Sequence, residues 1–223
     1  MTETTNRTPT PTLTDTSDMV VVHRAFRREF RLAPALVRAV PAGDSARAAV
    51  LAAHVRLLLD GLHLHHSGED AVLWPLLLDR AAPDAALVHR MEAEHEQVAA
   101  AIDGVRGALD RWVVEARPAV TEEVAAGIEA VTAPLLQHLA EEEAEILPLA
   151  ARLLSEAEWE AVGEHGMSHM RKSQLPIMFG MVLEECDPQE RQRMLGILPA
   201  PIRLLARTVF ARRYRRYVRE IRG

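Results

Sequence analysis

The sequence predicts an all-α protein: an up-down-up-down four-helix bundle with an appended C-terminal helical segment. Three observations predict it. Hydrophobic residues make up 48% of the 223 positions but aromatics only 4%, so runs suited to a β fold are scarce between the turn signals. From Met19 onward the apolar residues recur at helical spacing, interrupted only by short turns rich in Pro, Gly and Asp. The chain also repeats itself. His65, Glu69 and Pro75 each have a counterpart 73 positions later, in His138, Glu142 and Pro148, and His23 has one 72 positions later in His95.

The elements follow in order. Residues 1–18 are Thr- and Pro-rich with no apolar run, and read as a disordered tail. Helix one is expected over 19–40, bent at Pro34 and ending at Pro41-Ala42-Gly43-Asp44. Asp44 is placed to cap helix two, which is expected over 45–80 with a kink at Pro75. Ala82-Pro83-Asp84 makes the next turn, and helix three fills 85–115. Arg117-Pro118 opens the turn into helix four, over 119–153, with Pro134 and Pro148 inside it. Ser155 and Glu158 have capping-box spacing and open a fifth helix. Asp187-Pro188 with Glu190 starts a sixth, and an amphipathic helix covers 201–221. The expected organisation is therefore a tail (1–18), a bundle (19–154) and a packed extension (155–223).

Composition excludes several classes. One cysteine, Cys186, permits neither a disulfide framework nor a thiolate metal site within one chain. That fits a reducing compartment and a cytoplasmic protein. The net charge is −6, yet residues 199–223 hold eight Arg against the single acid Glu220. A nucleic-acid partner is not expected of such an acidic body.

Spacing carries the chemistry. Residues four apart share a helix face, so His65 with Glu69, and His138 with Glu142, each present an imidazole beside a carboxylate. In an antiparallel hairpin, residues equidistant from the turn sit level. The midpoint of His23 and His65 is residue 44, that of His95 and His138 lies beside Pro118, and that of His65 and His95 falls near Pro83. All three midpoints coincide with expected turns, so the bundle brings the four histidines to one height. Four His and two Glu in a core demand a cation, because their desolvation would otherwise be costly. Six ligands suit two metal ions with open positions. Imidazole and carboxylate without thiolate point to iron, with manganese or zinc as lesser candidates. A bridging Glu and a bridging oxo or hydroxo group would complete the set.

With these residues the chain resembles the hemerythrin family, in its bacterial HHE cation-binding branch. The signature there is a lone helical His followed by His-x-x-x-Glu, twice over. The resemblance spans about residues 19–153 and implies a four-helix bundle around a non-haem di-iron site. Carried over, the metal ligands are His23, His65, Glu69, His95, His138 and Glu142. Oxygen-carrying members have a second His one turn from the helix-three ligand, and an Asp five residues after the last His. Here Met91 and Ala99 stand one turn either side of His95, and Glu142 follows His138 by four. Fewer imidazoles leave more open coordination. The expected function is therefore binding of, or reaction with, O₂, peroxide or nitric oxide. The alternative is an iron or oxygen sensor or reservoir whose C-terminal helices signal to a partner.

The other histidines are read more plainly. His66 and Asp70 repeat the His-x-x-x-acid geometry one position round the helix, and are read as outer to the site or on the surface, with an alternative ligand pair as the other reading. His54 lies three turns before His65 and is too far to ligate. His63 and His89 read as surface or core-edge residues. His165 and His169 have ligand spacing on helix five, next to Gly163 and Gly166, which suit close packing on the bundle. Either could approach the site, and the Met-rich stretch from Met167 to Met181 could gate it. Cys186 reads as a small buried hydrophobe. On the last helix, Ile202, Ala206, Phe210, Tyr214, Tyr217 and Ile221 form one stripe, expected to dock on the bundle with the Arg residues paired to its acids. A peripheral membrane or protein contact is the alternative for that basic helix.

Overall fold

The computed structural model describes residues 13–223; the first twelve residues of the expected tail lie outside them. The remainder of that tail departs from expectation. Thr14 donates its backbone N–H to Ala151 O at 2.9 Å and its hydroxyl to Leu154 O at 2.6 Å, so the chain is tied down before its first helix begins.

The bundle is built from α1 (Ser17–Arg38), α2 (Ser45–Gly68), α3 (Trp74–Arg80), α4 (Ala85–Glu115), α5 (Pro118–Glu141) and α6 (Leu147–Leu153), with no strand among the described residues. α1 continues through Pro34. At one end of the bundle Gly43, at φ 83°, donates its N–H to Ala116 O at 3.0 Å. The α1–α2 and α4–α5 turns therefore lie side by side, as an up-down-up-down order requires. Asp44 caps α2 by accepting from the Arg47 N–H. The core is one long apolar cluster that includes Phe30, Leu51, Leu58, Trp112, Ile128 and Leu135.

Helices two and four are not simply kinked at their prolines. A π-helical turn, Glu69–Leu73, separates α2 from α3, and another, Glu142–Ile146, separates α5 from α6. In each the residue before the proline donates to a carbonyl five back: Trp74 to Glu69, and Leu147 to Glu142. Pro75 and Pro148 lack an N–H and crowd the carbonyl four back, so a wider turn relieves the clash. Both π-turns open on a glutamate of the repeat.

The extension comprises α7 (Glu156–His169), α8 (Leu175–Glu185), α9 (Pro188–Gly196), α10 (Ala200–Leu205), a π-turn (Ala206–Phe210) and α11 (Ala211–Arg222). α7 opens on the expected Ser155–Glu158 capping box, and α9 on the Asp187–Glu190 one. Ile177 and Met181 of α8 and Tyr214 and Ile221 of α11 belong to the main core cluster. Trp159 and Val162 of α7 join a second cluster with Leu73, Trp74, Leu77, Met91 and Ile146 at the far end of the bundle. Cys186 is half-buried, its thiol on Val182 O, beside a third cluster.

α7 approaches α2 closely because both helices carry glycine at the crossing. A Cβ on Gly68 would stand 2.8 Å from Val162 O, and one on Gly166 3.1 Å from Leu64 O, whereas one on Gly163 would meet nothing within 4 Å. A backbone oxygen cannot rotate away, so a methyl at 68 must push the helices apart. G68A is expected to cost about 1–3 kcal/mol by overpacking, despite a gain of about 1 kcal/mol in helix propensity. G163A, with the propensity gain and no clash, is expected to raise the melting temperature. Thermal unfolding of the two variants beside wild type checks both signs.

α11 docks through polar as well as apolar contacts. Glu29, only 1% exposed, accepts from Arg28 Nη2 at 2.8 Å and from Arg222 Nη2 at 2.5 Å. Tyr214 donates to Glu184, and Tyr217 Oη lies 2.8 Å from buried His54 Nδ1. The expected pairing of the helix's arginines with the acidic body holds for Arg222 alone. Arg207, Arg212, Arg215, Arg216 and Arg219 make no ion pair among the described residues. They project from a docked apolar stripe, which points them to solvent.

Candidate metal centre

The bundle brings all six sequence-predicted ligands together. His23 on α1, His65 at the end of α2, His95 on α4 and His138 on α5 meet at one level, with Glu69 and Glu142 at the first positions of the two π-turns. His23, His138, Glu69 and Glu142 are wholly buried, and His95 is 5% exposed. The imidazoles form two pairs, with His23 and His65 Nε2 3.2 Å apart and His95 and His138 Nε2 3.1 Å apart.

Each glutamate spans the pairs. Glu69 Oε1 lies 3.2 Å from His65 Nε2 while its Oε2 lies 3.3 Å from His95 Nε2. Glu142 Oε2 lies 3.2 Å from His23 Nε2 and 3.8 Å from His138 Nε2. All four carboxylate oxygens of the two glutamates are buried without a hydrogen bond of good geometry. Such atoms ordinarily find a donor or a cation.

Three of the imidazoles are held from behind. His23 Nδ1 is 2.9 Å from Glu143 Oε1, which also accepts from Arg27. His95 Nδ1 is 2.7 Å from Asp70 Oδ1, which also accepts from Trp74 Nε1. His138 Nδ1 is 2.9 Å from Glu94 Oε2. A carboxylate at Nδ1 fixes the proton there and leaves the Nε2 lone pair facing inward, the arrangement of metal-bound histidine.

The fit to metal is direct. Two Nε2 lone pairs at 3.1–3.2 Å repel unless something positive sits between them. Ligand nitrogens at right angles about an ion, each at ~2.1 Å, stand about 3 Å apart. Two four-residue groups have ligand atoms all within 4.8 Å of one another: His23, His65, Glu69 and Glu142, and His66, Glu69, His95 and His138. Glu69 belongs to both.

The electrostatics of the bare cluster show the same demand. Burial pushes His65 and His66 well below the usual imidazole range and His138 down to about 4. Burial acts on His23 and His95 too, but their carboxylate neighbours outweigh it and raise both to about 9. The buried carboxylates thus favour positive charge at His23 and His95, as they would favour a cation.

For His66 the structure favours the ligand alternative over the outer or surface one. This residue is 5% exposed, stacked on His95 with ring centroids 3.9 Å apart, and its Nε2 lacks any partner among the described residues. The outer role fits Asp70, which serves His95, but His66 stands within the second group. α4 packs over that face of α2 and turns a nominally outward position inward. His165 and His169 stay on the surface of α7 with rings 4.6 Å apart and join neither group. His63 and His89 are exposed as expected, and His54 is buried against Tyr217, away from the centre. Spacing does not single out Asp70, Glu94 and Glu143 as orienting groups. For two of them the repeat holds a signal, since Asp70 and Glu143 are themselves 73 apart, each directly after a ligand Glu.

Comparison with curated proteins and with solved structures gives no match. The family model of the hemerythrin HHE cation binding domain matches residues 14–150, which contain every residue of both groups, and the chain therefore belongs to the hemerythrin HHE family.

Proposed function

We propose that the protein holds two iron ions in this centre and uses them to bind, or react with, O₂, peroxide or nitric oxide. The observation that supports the reading most is Glu69, whose two oxygens face histidines of different groups. His23, His65 and Glu142 would complete one ion's ligands, and His66, His95 and His138 the other's. Imidazole and carboxylate without sulfur favour iron over softer metals, and manganese or zinc would be the substitutes. When bound, such a pair supplies electrons and open coordination positions for a small ligand, with an oxo or hydroxo bridge expected between the ions. The chain's own residues contribute orientation and exclusion of water. Glu143, Asp70 and Glu94 fix the ring tautomers, and the clusters of Trp74, Leu77, Met91 and Trp159 on one side and Leu62, Leu135 and Leu139 on the other exclude water from those two sides. The test is metal analysis of anaerobically purified protein, followed by addition of peroxide or nitric oxide to the reduced form. Catalytic consumption identifies a detoxifying enzyme. Stoichiometric binding without turnover supports a sensor or reservoir, and metal content near zero rejects the reading.

The C-terminal face favours a partner of its own. Ile197, Ile202, Leu204, Leu205 and Val209 are exposed by 39–67% beside Arg207 and Arg212, and among the described residues no helix is long and apolar enough to span a bilayer. Exposed apolar side chains among unpaired arginines match an anionic membrane surface, and a peripheral, cytoplasmic-side location is part of this proposal. Full-length protein is expected to co-sediment with phosphatidylserine vesicles and not with phosphatidylcholine ones. Equal recovery with both would remove the membrane reading.

A further inference from the structure

A solvent-open cavity of about 440 Å³ lies between α2 and α4, with His66 and His95 among its walls. Its lining includes the carboxylates of Asp70, Glu92 and Glu96 and, among the described residues, contains no Lys or Arg. Glu96 is exposed, and Glu92 is half-buried with His89 Nδ1 2.8 Å away on the surface. The inner wall is different in kind. His66 is 5% exposed there, and its Nε2 has no hydrogen-bond partner among the described residues. An acidic mouth thus leads to a buried, unsatisfied metal-ligand atom.

We propose that this cavity is the port by which a divalent cation reaches the centre, captured at the mouth by Glu92 and Glu96 and handed inward by His66. The proposal rests on the metal-binding reading above and adds to it the route and the residues of loading. A neutral diatomic ligand would have no use for such a mouth, whereas a hydrated cation gains from each carboxylate. Apolar side chains close both ends of the bundle, and α7 lies against α2 at Gly68 and Gly166. Asp70 links the two ends of the route, since it lines the cavity and holds His95 Nδ1 at 2.7 Å. A cleft lined by one sign of charge concentrates counter-ions and speeds association, and salt screens the effect.

The test is the rate at which metal-free full-length protein takes up Co²⁺, followed by the ligand-field absorbance of the bound ion. Neither Glu92 nor Glu96 belongs to the two ligand groups, so E92Q/E96Q should change the rate and not the final amount. The expected slowing at low ionic strength is about 10-fold, the lower end of electrostatic acceleration in charged clefts. Wild-type uptake should slow as salt is added, and the two proteins should converge at high salt. E160Q/E164Q, which removes the same charge from the surface of α7, controls for net charge and should load like wild type. Uptake by E92Q/E96Q at the wild-type rate overturns the port while leaving the metal reading intact, and so does equal slowing of both double variants. Failure of the wild-type chain to take up Co²⁺ at all overturns both.

Discussion

Replacing His138 and Glu142 together with alanine is expected to remove most of the metal, from close to two ions per chain to well below one. The pair touches both groups. His138 belongs with His66 and His95, while Glu142 belongs with His23 and His65 and also reaches toward His138. Loss of one ligand from a metal-binding set weakens affinity steeply, and here each set loses one while the open positions already present limit any compensation. The near-ultraviolet charge-transfer absorption expected of bridged iron should vanish with the metal. E69A should lose both ions by itself, because Glu69 is common to the two groups, whereas H23A should strip one ion preferentially. Metal analysis with far-ultraviolet circular dichroism separates loss of metal from loss of fold. Full retention of metal in H138A/E142A would show that the ions lie elsewhere.

The second large effect is expected from truncation after Leu154. The extension contributes Ile177, Met181, Tyr214 and Ile221 to the main core and Trp159 and Val162 to the distal one, all 8% exposed or less. Removing it uncovers apolar surface on α1, α2 and α3 and leaves buried Glu29 without Arg222 and His54 without Tyr217. At ~25 cal/mol per Å² of apolar area, several side chains of this size amount to several kcal/mol, before any cost of stranded polar groups. That is a large share of the stability of an ordinary domain. The 1–154 fragment should aggregate or melt far below the full chain. A fragment that is monomeric and equally heat-stable would establish that residues 155–223 are a separate module, contrary to the packed-extension reading we propose.

The metal site is largely legible in the sequence. Helical periodicity places residues four apart on one face, and antiparallel geometry levels residues equidistant from a turn, so spacing alone names six of the seven residues that meet at the candidate centre. The same repeat, followed one residue further, pairs Asp70 with Glu143. In the folded chain each serves a lone histidine: Asp70 bonds His95, and Glu143 bonds His23. The places where the repeat fails are informative too. His66 corresponds to Leu139 in the second half, so one of the two residue groups has a third imidazole and the other does not.

What the sequence determined by itself is the set of local periodicities and breakers: four bundle helices, their turns, the capping boxes at Ser155 and Asp187, and the level at which His and Glu converge. These depend on interactions within a few residues along the chain, which one sequence contains in full. The tertiary structure alone decided three things. It showed that Pro75 and Pro148 are accommodated by π-turns rather than by simple kinks, an outcome that a proline's position in the sequence does not choose between. It turned His66 inward, because a helix face is inner or outer only relative to the neighbour that covers it, here α4. It left Arg207, Arg212, Arg215, Arg216 and Arg219 in solvent, because the docked apolar stripe points them away from the acidic body. In the last two cases the deciding partner lies far away in the chain, and its position is a property of the fold rather than of the local pattern.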